Sequence, residues 1–220
     1  MTNFTSDDYI EIRRRGVSLH SKIFKKLTDE DYKTCAKHLG VWHNKRVVID
    51  GDEEMDLFTD YSIYGYRPKG FNMAERYLRL FSKEADEFER TLLQSMSAAR
   101  YAIYQVEQTN GTDNLDAVDV FSKAKYHLID HQLAKTAYAG LMLAGYLIEF
   151  DSFTIQSGGT VLVTRDILQA DEVVNVIDQI EDDSLSQFLV DPANGAKLAR
   201  AVVATTIRLG QAKNFSHQIV

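Results

Sequence analysis

Helical periodicity dominates the first hundred residues of this chain. Apolar residues recur every three or four positions along three stretches, which predicts an amphipathic helix in each of them. These stretches are residues 7–27, 52–64 and 84–100. Thr28 and Asn72 are N-cap residue types that stand directly before two further periodic stretches, so we expect a helix after each of them. The run 45–49 predicts a short strand.

The periodicity changes near residue 101. From Tyr101 onwards, short apolar or alternating runs are separated by turn residues, among them the Asn110-Gly111 pair that favours a hairpin. The run 141–150 is apolar on both faces, as expected of a central strand, and Gly158-Gly159 is interpreted as a two-glycine hairpin. The predicted strands are residues 101–107, 115–121, 126–133, 141–150, 153–157 and 160–163. Because no helix is predicted between them, these strands indicate a small antiparallel β-sheet or barrel.

Helical periodicity returns after Thr164. It predicts a helix from Arg165, a short helix around residues 185–189, and a last helix that opens at Asn194 or Gly195. The expected fold class is therefore α+β, with N-terminal helices, a small antiparallel β-sheet or barrel, and C-terminal helices. The corresponding division of the chain is 1–100, 101–164 and 165–220.

The composition is that of a globular protein. Of the 220 residues, 45% are hydrophobic and 26% are charged, which excludes the disordered and collagen-like classes. The single cysteine, Cys35, excludes an internal disulfide and a multi-cysteine zinc site, and it suits a reducing compartment. The N-terminal residues lack the pattern of a secretory signal, and the apolar run 138–150 falls short of the roughly 20 residues that cross a bilayer. We therefore expect a cytoplasmic protein without a membrane partner.

Charge is distributed in blocks of opposite sign within a net charge of −7. Residues 1–49 hold ten Lys and Arg against six Asp and Glu, whereas residues 50–64 hold six acids and no base. Such blocks pair within one fold or between subunits. We therefore expect a protein partner or self-association. The net negative charge of the chain argues mildly against general nucleic-acid binding.

Three carboxylates form the candidate metal site. Asp52, Asp56 and Asp60 are spaced four residues apart and would share one helix face, where a divalent cation could bridge them. The calcium-loop pattern fails, because Met55 and Tyr61 stand where that loop requires Gly and Glu. The interpretation that we favour is a capped, solvated helix start with acids placed well for the helix dipole.

A basic tripeptide is one candidate binding site. Arg13 and Arg14, with Arg15, could contact phosphate groups of a nucleic acid. Three adjacent helical positions spread over most of a turn, however, so they do not form one compact patch. We favour a solvated helix face on which Arg15 pairs with Glu11.

An aromatic and basic loop is the other candidate binding site. Tyr64, Tyr66 and Arg67 could form a stacking surface for bases or a partner groove. The alternative that we favour is an aromatic lid over the junction between helices and barrel. The six histidines are scattered and are interpreted as partly exposed side chains rather than ligands. Nucleophile and nucleotide-loop motifs are absent, so no catalytic residue and no cofactor is expected.

Two segments carry a resemblance to known sequences. Residues 57–78, LFTDYSIYGYRPKGFNMAERYL, and residues 92–107, LLQSMSAARYAIYQVE, resemble a set of uncharacterised bacterial proteins with no assigned activity. The resemblance covers the middle of the chain. It implies a bacterial source and a layout of helices plus a small barrel, and it supplies no catalytic residues.

These observations favour a non-enzymatic cytoplasmic binding or adaptor protein that self-associates. Two alternatives stay open. The first is a nucleic-acid-associated regulator that uses the basic N-terminal helix. The second is a metal-dependent hydrolase that uses Asp52, Asp56 and Asp60.

Overall fold

A computed structural model describes residues 4–180 and 191–212. Helices cover one side of a closed β-barrel, and the predicted α+β fold class is confirmed. The predicted helix around residues 185–189 lies outside the described residues.

Local capping signals place the N-terminal helices. Thr28 accepts a hydrogen bond from the Asp31 backbone N–H at 3.1 Å, and Asn72 accepts one from the Glu75 N–H at 2.7 Å, so two predicted caps are confirmed. The fifth helix is shorter than the predicted range 84–100, because Asp86 caps it at its start and Arg100 already belongs to a strand. The helices are α1 (Tyr9–Phe24), α2 (Asp29–His38), α3 (Asp52–Asp60), α4 (Met73–Phe81) and α5 (Glu87–Ser97).

The strand predicted at 45–49 is instead half of a small hairpin. Its strands are β1 (Trp42–His43) and β2 (Arg46–Val47), and the turn between them is made by Asn44 and Lys45, which have φ angles of 48° and 62°. The predicted strand was therefore too long, because Lys45 belongs to the turn and β2 ends at Val47.

Five strands close into the barrel. They are β3 (Arg100–Thr109), β4 (Asn114–Asp119), β5 (Lys125–Ile129), β6 (Met142–Glu149) and β7 (Thr154–Gln156). β3, β4 and β5 form an antiparallel meander, and β6 returns to pair with β3, which is the Greek-key arrangement. β7 pairs antiparallel with β6 and parallel with β5, and this closes the barrel. A short strand, β8 (Val161–Leu162), pairs with the first half of β6, on the edge where β7 pairs with the second half.

Side-chain alternation separates two hydrophobic cores. Leu143 and Leu147 of β6 face the barrel interior, whereas Tyr146 and Ile148 face the helices. The prediction of a central strand at 141–150 is therefore confirmed. A short helix, α6 (Leu133–Thr136), buries Leu133 in the interior core and closes that end of the barrel.

Two predictions about the strands were wrong. The strand predicted at 126–133 ends at Ile129, because the Asp130 carboxylate caps α6 by accepting from the Leu133 N–H at 2.8 Å. The Gly158-Gly159 hairpin is absent from the described residues. Both β7 and β8 pair with β6 rather than with each other, and the two glycines cross between them.

The C-terminal helices lie beside α2 and the outer face of the barrel. They are α7 (Arg165–Leu168), α8 (Asp171–Ile177) and α9 (Pro192–Arg208). α9 starts earlier than predicted, because Asp191 caps it and Pro192 suits the first helical position. Within residues 4–180 and 191–212, no helix is long and apolar enough to cross a membrane. The division of the chain near residues 100 and 164 remains a prediction.

Candidate functional site

A π-helical turn organises the centre of the molecule. α3 continues into this turn, Tyr61–Gly65, a geometry that is rare and often found at functional sites. The turn directs Tyr61 towards His38 of α2, whose Nδ1 lies 2.8 Å from the Tyr61 hydroxyl. It directs Tyr64 against Tyr146 of β6, with ring centroids 5.1 Å apart. One turn therefore connects the helices to the barrel.

A buried polar network, the Asp60 cluster, surrounds the start of this turn. Asp60 is 3% exposed, and its Oδ2 accepts hydrogen bonds from the Gly159 N–H at 2.8 Å and from the Ser157 hydroxyl. His20 of α1 lies on the other side, with its Nδ1 3.9 Å from Asp60 Oδ1. His20 Nε2 is 2.6 Å from the Tyr64 hydroxyl. The cluster thus joins α1, α3 and the segment between β7 and β8.

Burial keeps the two aromatic members of the Asp60 cluster neutral. It lowers the pKa of His20, and the nearby Asp60 carboxylate opposes that effect. It raises the pKa of Tyr64 well above the usual value of a phenol. The adjoining cavity, which Arg13 and Ser157 line, measures about 20 Å³, room for one water molecule. The cluster therefore suits a structural role better than the binding of a substrate.

The three carboxylates of the candidate metal site do not converge. Asp60 points into the protein towards Ser157 and Gly159, whereas Asp52 and Asp56 are exposed on α3. In the described part of the chain, no group of three His, Cys, Asp or Glu side chains could hold a metal ion. Although Asp56 is exposed, partial desolvation by the surrounding protein raises its pKa, and the negative charges of Asp60, Asp52 and Glu53 raise it further.

The raised pKa of Asp56, which has desolvation as its largest cause, leads to a prediction for Asp56→Asn. A folded-state pKa above the unfolded value means that ionisation of Asp56 opposes folding. Its effect on stability is therefore absent below the unfolded pKa of about 3.8, and stability is lost as the pH rises through the folded-state pKa. We expect Asp56→Asn to raise the Tm at neutral pH by about 1–2 °C, and the gain to shrink as the pH falls towards the unfolded pKa. Thermal unfolding monitored by circular dichroism measures it, with Asp166→Asn in the exposed first turn of α7 as the control. The hydrolase hypothesis predicts a different result, namely that added Mg²⁺ or Mn²⁺ raises the Tm of the wild type and that Asp56→Asn abolishes this rise.

The three consecutive arginines point in different directions. Arg13 turns inward, and its Nη1 donates to the Gln156 carbonyl at 2.6 Å. Arg14 forms two hydrogen bonds with Glu11, at 2.7 and 2.6 Å. Arg15 also donates to Glu11, at 2.7 Å, so the predicted pair is confirmed. The tripeptide therefore presents no joint cationic patch.

The aromatic loop residues are also separated from one another. Tyr64 is 1% exposed, so its ring offers no face to solvent. The Tyr66 hydroxyl donates to Asp31 at 3.0 Å, and Arg67 donates to Glu75 at 2.7 Å. The contact of Tyr64 with Tyr146 agrees with packing at the junction of helices and barrel.

A large cavity, which we call the basic groove, measures about 970 Å³. One wall is the end of α2 with the hairpin that follows it, and the other wall is α8 and α9. Its floor is apolar, formed by Leu39, Val41, Val48, Val176, Ala201, Ala204 and Ile207. Among the described residues that line it, the charged side chains are Lys37, Lys197, Arg200, Arg208 and Glu172.

Within the described residues, the cations of the basic groove outnumber its carboxylates. Glu172 is the one carboxylate among the described lining residues, and it pairs with Arg208 at 3.0 Å. Lys37 and Arg200 are exposed, and neither forms an ion pair with a described residue. His38 also lines the groove, and its pKa is lowered by burial and by Arg200. The groove is therefore a concave surface with an apolar floor and a cationic rim.

Sequence reasoning did not find the basic groove. Its walls come from opposite parts of the chain, 37–48 and 172–208. A partial signal was present, because Lys197, Arg200, Ala201, Ala204 and Arg208 have the spacing of one helix face, and no acid follows Asp191.

Comparison with known proteins places the chain in a family. A family model, described as a family of unknown function (DUF7986), matches residues 4–189. The chain belongs to that family, and the predicted resemblance to uncharacterised proteins is confirmed. No match was found among curated proteins or among solved structures.

Proposed function

We propose that this protein is a cytoplasmic, non-enzymatic binding protein whose basic groove takes a molecule with an anionic head and an apolar body. The observation that carries this proposal is the lining of the groove, where four cations and one carboxylate of the described chain surround an apolar floor. Its volume of about 970 Å³ lies at the upper end of the range of small-molecule sites. The single cysteine, Cys35, is a free and buried thiol, which supports the proposed cytoplasmic location because free thiols are typical of a reducing compartment.

Each part of such a ligand has a matching surface. The head would meet Lys37 and Arg200, whose charges no carboxylate of the described residues neutralises. The apolar body would cover the floor, including Val48, which is 57% exposed. Covering apolar surface gains about 25 cal/mol per Å², so the floor contributes affinity and the cations contribute selectivity for anions.

The nucleic-acid alternative finds less support in the barrel. Five-stranded Greek-key barrels of the OB type bind oligonucleotides on the outer face of their second and third strands, often by stacking on aromatic rings. The corresponding strands here are β4 and β5. Their outer face carries Asp116 and His127, joined at 2.8 Å, while Tyr126 packs against the barrel interior. A carboxylate on this face repels phosphate.

The test measures binding of defined amphiphiles. We expect 8-anilinonaphthalene-1-sulfonate to gain fluorescence on binding and to be displaced by dodecyl phosphate or dodecanoate. The double substitution Lys37→Glu and Arg200→Glu should weaken binding of dodecyl phosphate at least ~10-fold, because it reverses two rim charges. The matched control is Lys83→Glu, which changes an exposed lysine outside the groove.

Three outcomes would contradict the proposal. Dodecyltrimethylammonium could bind as tightly as dodecyl phosphate, which would show that the cations do not select the ligand. A single-stranded oligonucleotide could displace the probe while dodecyl phosphate does not, which would favour the nucleic-acid regulator. The third outcome is that none of the amphiphiles displaces the probe. Self-association and a protein partner remain predictions.

A further inference from the structure

A second cavity lies at the end of the barrel that α6 closes. It measures about 400 Å³, and three separate segments line it: the first turns of α1, the residues after β5, and the segment between β7 and β8. We call it the barrel-mouth cavity. The lining residues on which the argument rests are Tyr9, Ile10, Arg13, Asp130, His131 and Leu133.

Arg13 supplies a fixed positive charge to the barrel-mouth cavity. Its Nη1 donates to the Gln156 carbonyl at 2.6 Å, which anchors the guanidinium against β7. A guanidinium carries five N–H donors, and no carboxylate among the described residues pairs with Arg13. The side chain is therefore held in place with donors left for a ligand, a geometry suited to binding a carboxylate.

Asp130 supplies a fixed negative charge to the same cavity. Its Oδ1 accepts from the backbone N–H groups of Gln132 at 3.0 Å and Leu133 at 2.8 Å, which fixes the carboxyl group at the start of α6. Within the described residues, Oδ2 accepts no hydrogen bond and Asp130 forms no ion pair with Arg13. Two opposite charges thus line one cavity without neutralising each other.

Part of the remaining surface of the cavity is apolar and aromatic, and the polar residues Gln132, Gln156 and Thr160 line the rest together with Gly158. The rings of Tyr9 and His131 pack together with centroids 4.5 Å apart, and Tyr9 is 7% exposed. Ile10 is 64% exposed at the rim, and Leu133 is buried. Burial raises the pKa of Tyr9, Asp130 raises it further, and Arg13 lowers it, so both charges act on the same phenol.

We propose that the barrel-mouth cavity binds a free α-amino acid, with its carboxylate on Arg13, its ammonium group on Asp130 and its side chain against Ile10 and the Tyr9 ring. A simple anion would be repelled by Asp130, and a simple cation by Arg13, whereas a small zwitterion satisfies both. The volume of about 400 Å³ suits a molecule of this size.

The test is calorimetric titration of the full chain with the twenty amino acids at millimolar concentration. We expect at least one of them to bind, and its N-acetyl derivative and its methyl ester, which each lack one charge, to bind at least ~10-fold more weakly. Asp130→Asn should cause a similar loss, because it removes the charge but keeps the oxygen that caps α6. Asp151→Asn, at an exposed loop position outside the cavity, is the matched control.

Several results would overturn this inference. One is the absence of binding by all twenty amino acids. Another is equal binding of the free amino acid and its N-acetyl or ester derivative. A third is unchanged affinity in Asp130→Asn that keeps the near-ultraviolet circular dichroism of the wild type. Binding should persist in the Lys37→Glu, Arg200→Glu variant, and loss of binding there would place the amino acid in the basic groove instead.

Discussion

Replacing Gly65 with alanine is expected to lower the free energy of unfolding by about 3 kcal/mol, at the upper end of overpacking costs. A Cβ built at Gly65 would collide with the Tyr146 hydroxyl and would lie 2.6 Å from Tyr61 Cδ2. Neither ring can move away easily, because both tyrosines are buried, each 3% exposed. Tyr146 also packs against Tyr101 with centroids 5.0 Å apart. The expected cost therefore arises from the close approach of the π-helical turn to β6.

The matched control is Gly16→Ala in α1. Apart from its chain neighbours and the backbone of its own helix, no described atom lies within 4 Å of a Cβ built there, so alanine should stabilise the helix by about 0.5–1 kcal/mol. Urea denaturation of both variants measures the difference. Tyr146→Phe should recover part of the loss in Gly65→Ala, because it removes the hydroxyl that collides and leaves the contact with Tyr61. Equal stabilities of the two glycine variants would contradict the packing described here.

Local signals predicted the helices well, because caps and periodicity act over a few residues. Thr28 and Asn72 cap the helices that they were expected to cap. The barrel was predicted only as a class, because its closure depends on pairings between distant strands, β3 with β6 and β5 with β7. A periodicity of two identifies a strand but does not name its partner.

The glycine pair at 158–159 shows how a local signal can mislead. Two glycines between apolar runs are typical of a hairpin. Here Gly159 is required for another reason, because a Cβ on it would lie 3.0 Å from the Asp56 carbonyl oxygen of α3. Glycine permits the segment to approach the helix, and the Gly159 N–H then reaches Asp60. The residue type was informative, but the contact that explains it is 103 residues away in sequence, at Asp56.

The candidate residues named from the sequence were assembled by the fold in an unexpected way. Arg13, Asp60 and Tyr64 were assigned to three separate hypothetical sites, yet all three lie at the junction of α1, the π-helical turn and the barrel. His20 and Ser157 complete this junction, and neither stands in a motif. Only the tertiary structure brings a histidine of α1 to a serine after β7.

Replacing Asp60 with alanine is expected to cost about 2–4 kcal/mol of stability. The change leaves the Gly159 N–H and the Ser157 hydroxyl without their acceptor, and both residues are buried. Asp60→Asn should cost less than half as much, because the amide oxygen can still accept from these donors. Asp56→Ala, one turn earlier on the exposed side of α3, is the control and should cause little loss. Urea denaturation separates the three variants.

Acid sensitivity gives a second measurement on the same network. The folded-state pKa of His20 is lowered, chiefly by burial, so the unfolded chain takes up the proton first. The stability that neutral His20 permits is fully present above the unfolded pKa of about 6.5 and is lost as the pH falls below it. Asp60 holds the pKa of His20 up, so Asp60→Ala should steepen this loss, and Asp60→Asn should do the same because it also removes the charge. Equal pH profiles for all three proteins would contradict the electrostatic role of Asp60.

The same substitution connects stability to binding. Asp60 holds Ser157 and Gly159, and the neighbouring residues Gln156, Gly158 and Thr160 form one wall of the barrel-mouth cavity. We therefore expect Asp60→Ala to weaken amino-acid binding as well, even at temperatures where the variant is fully folded. Binding in the basic groove should be unaffected, because neither Asp60 nor its partners Ser157 and Gly159 line it. A parallel loss at both cavities would instead indicate global loosening of the fold.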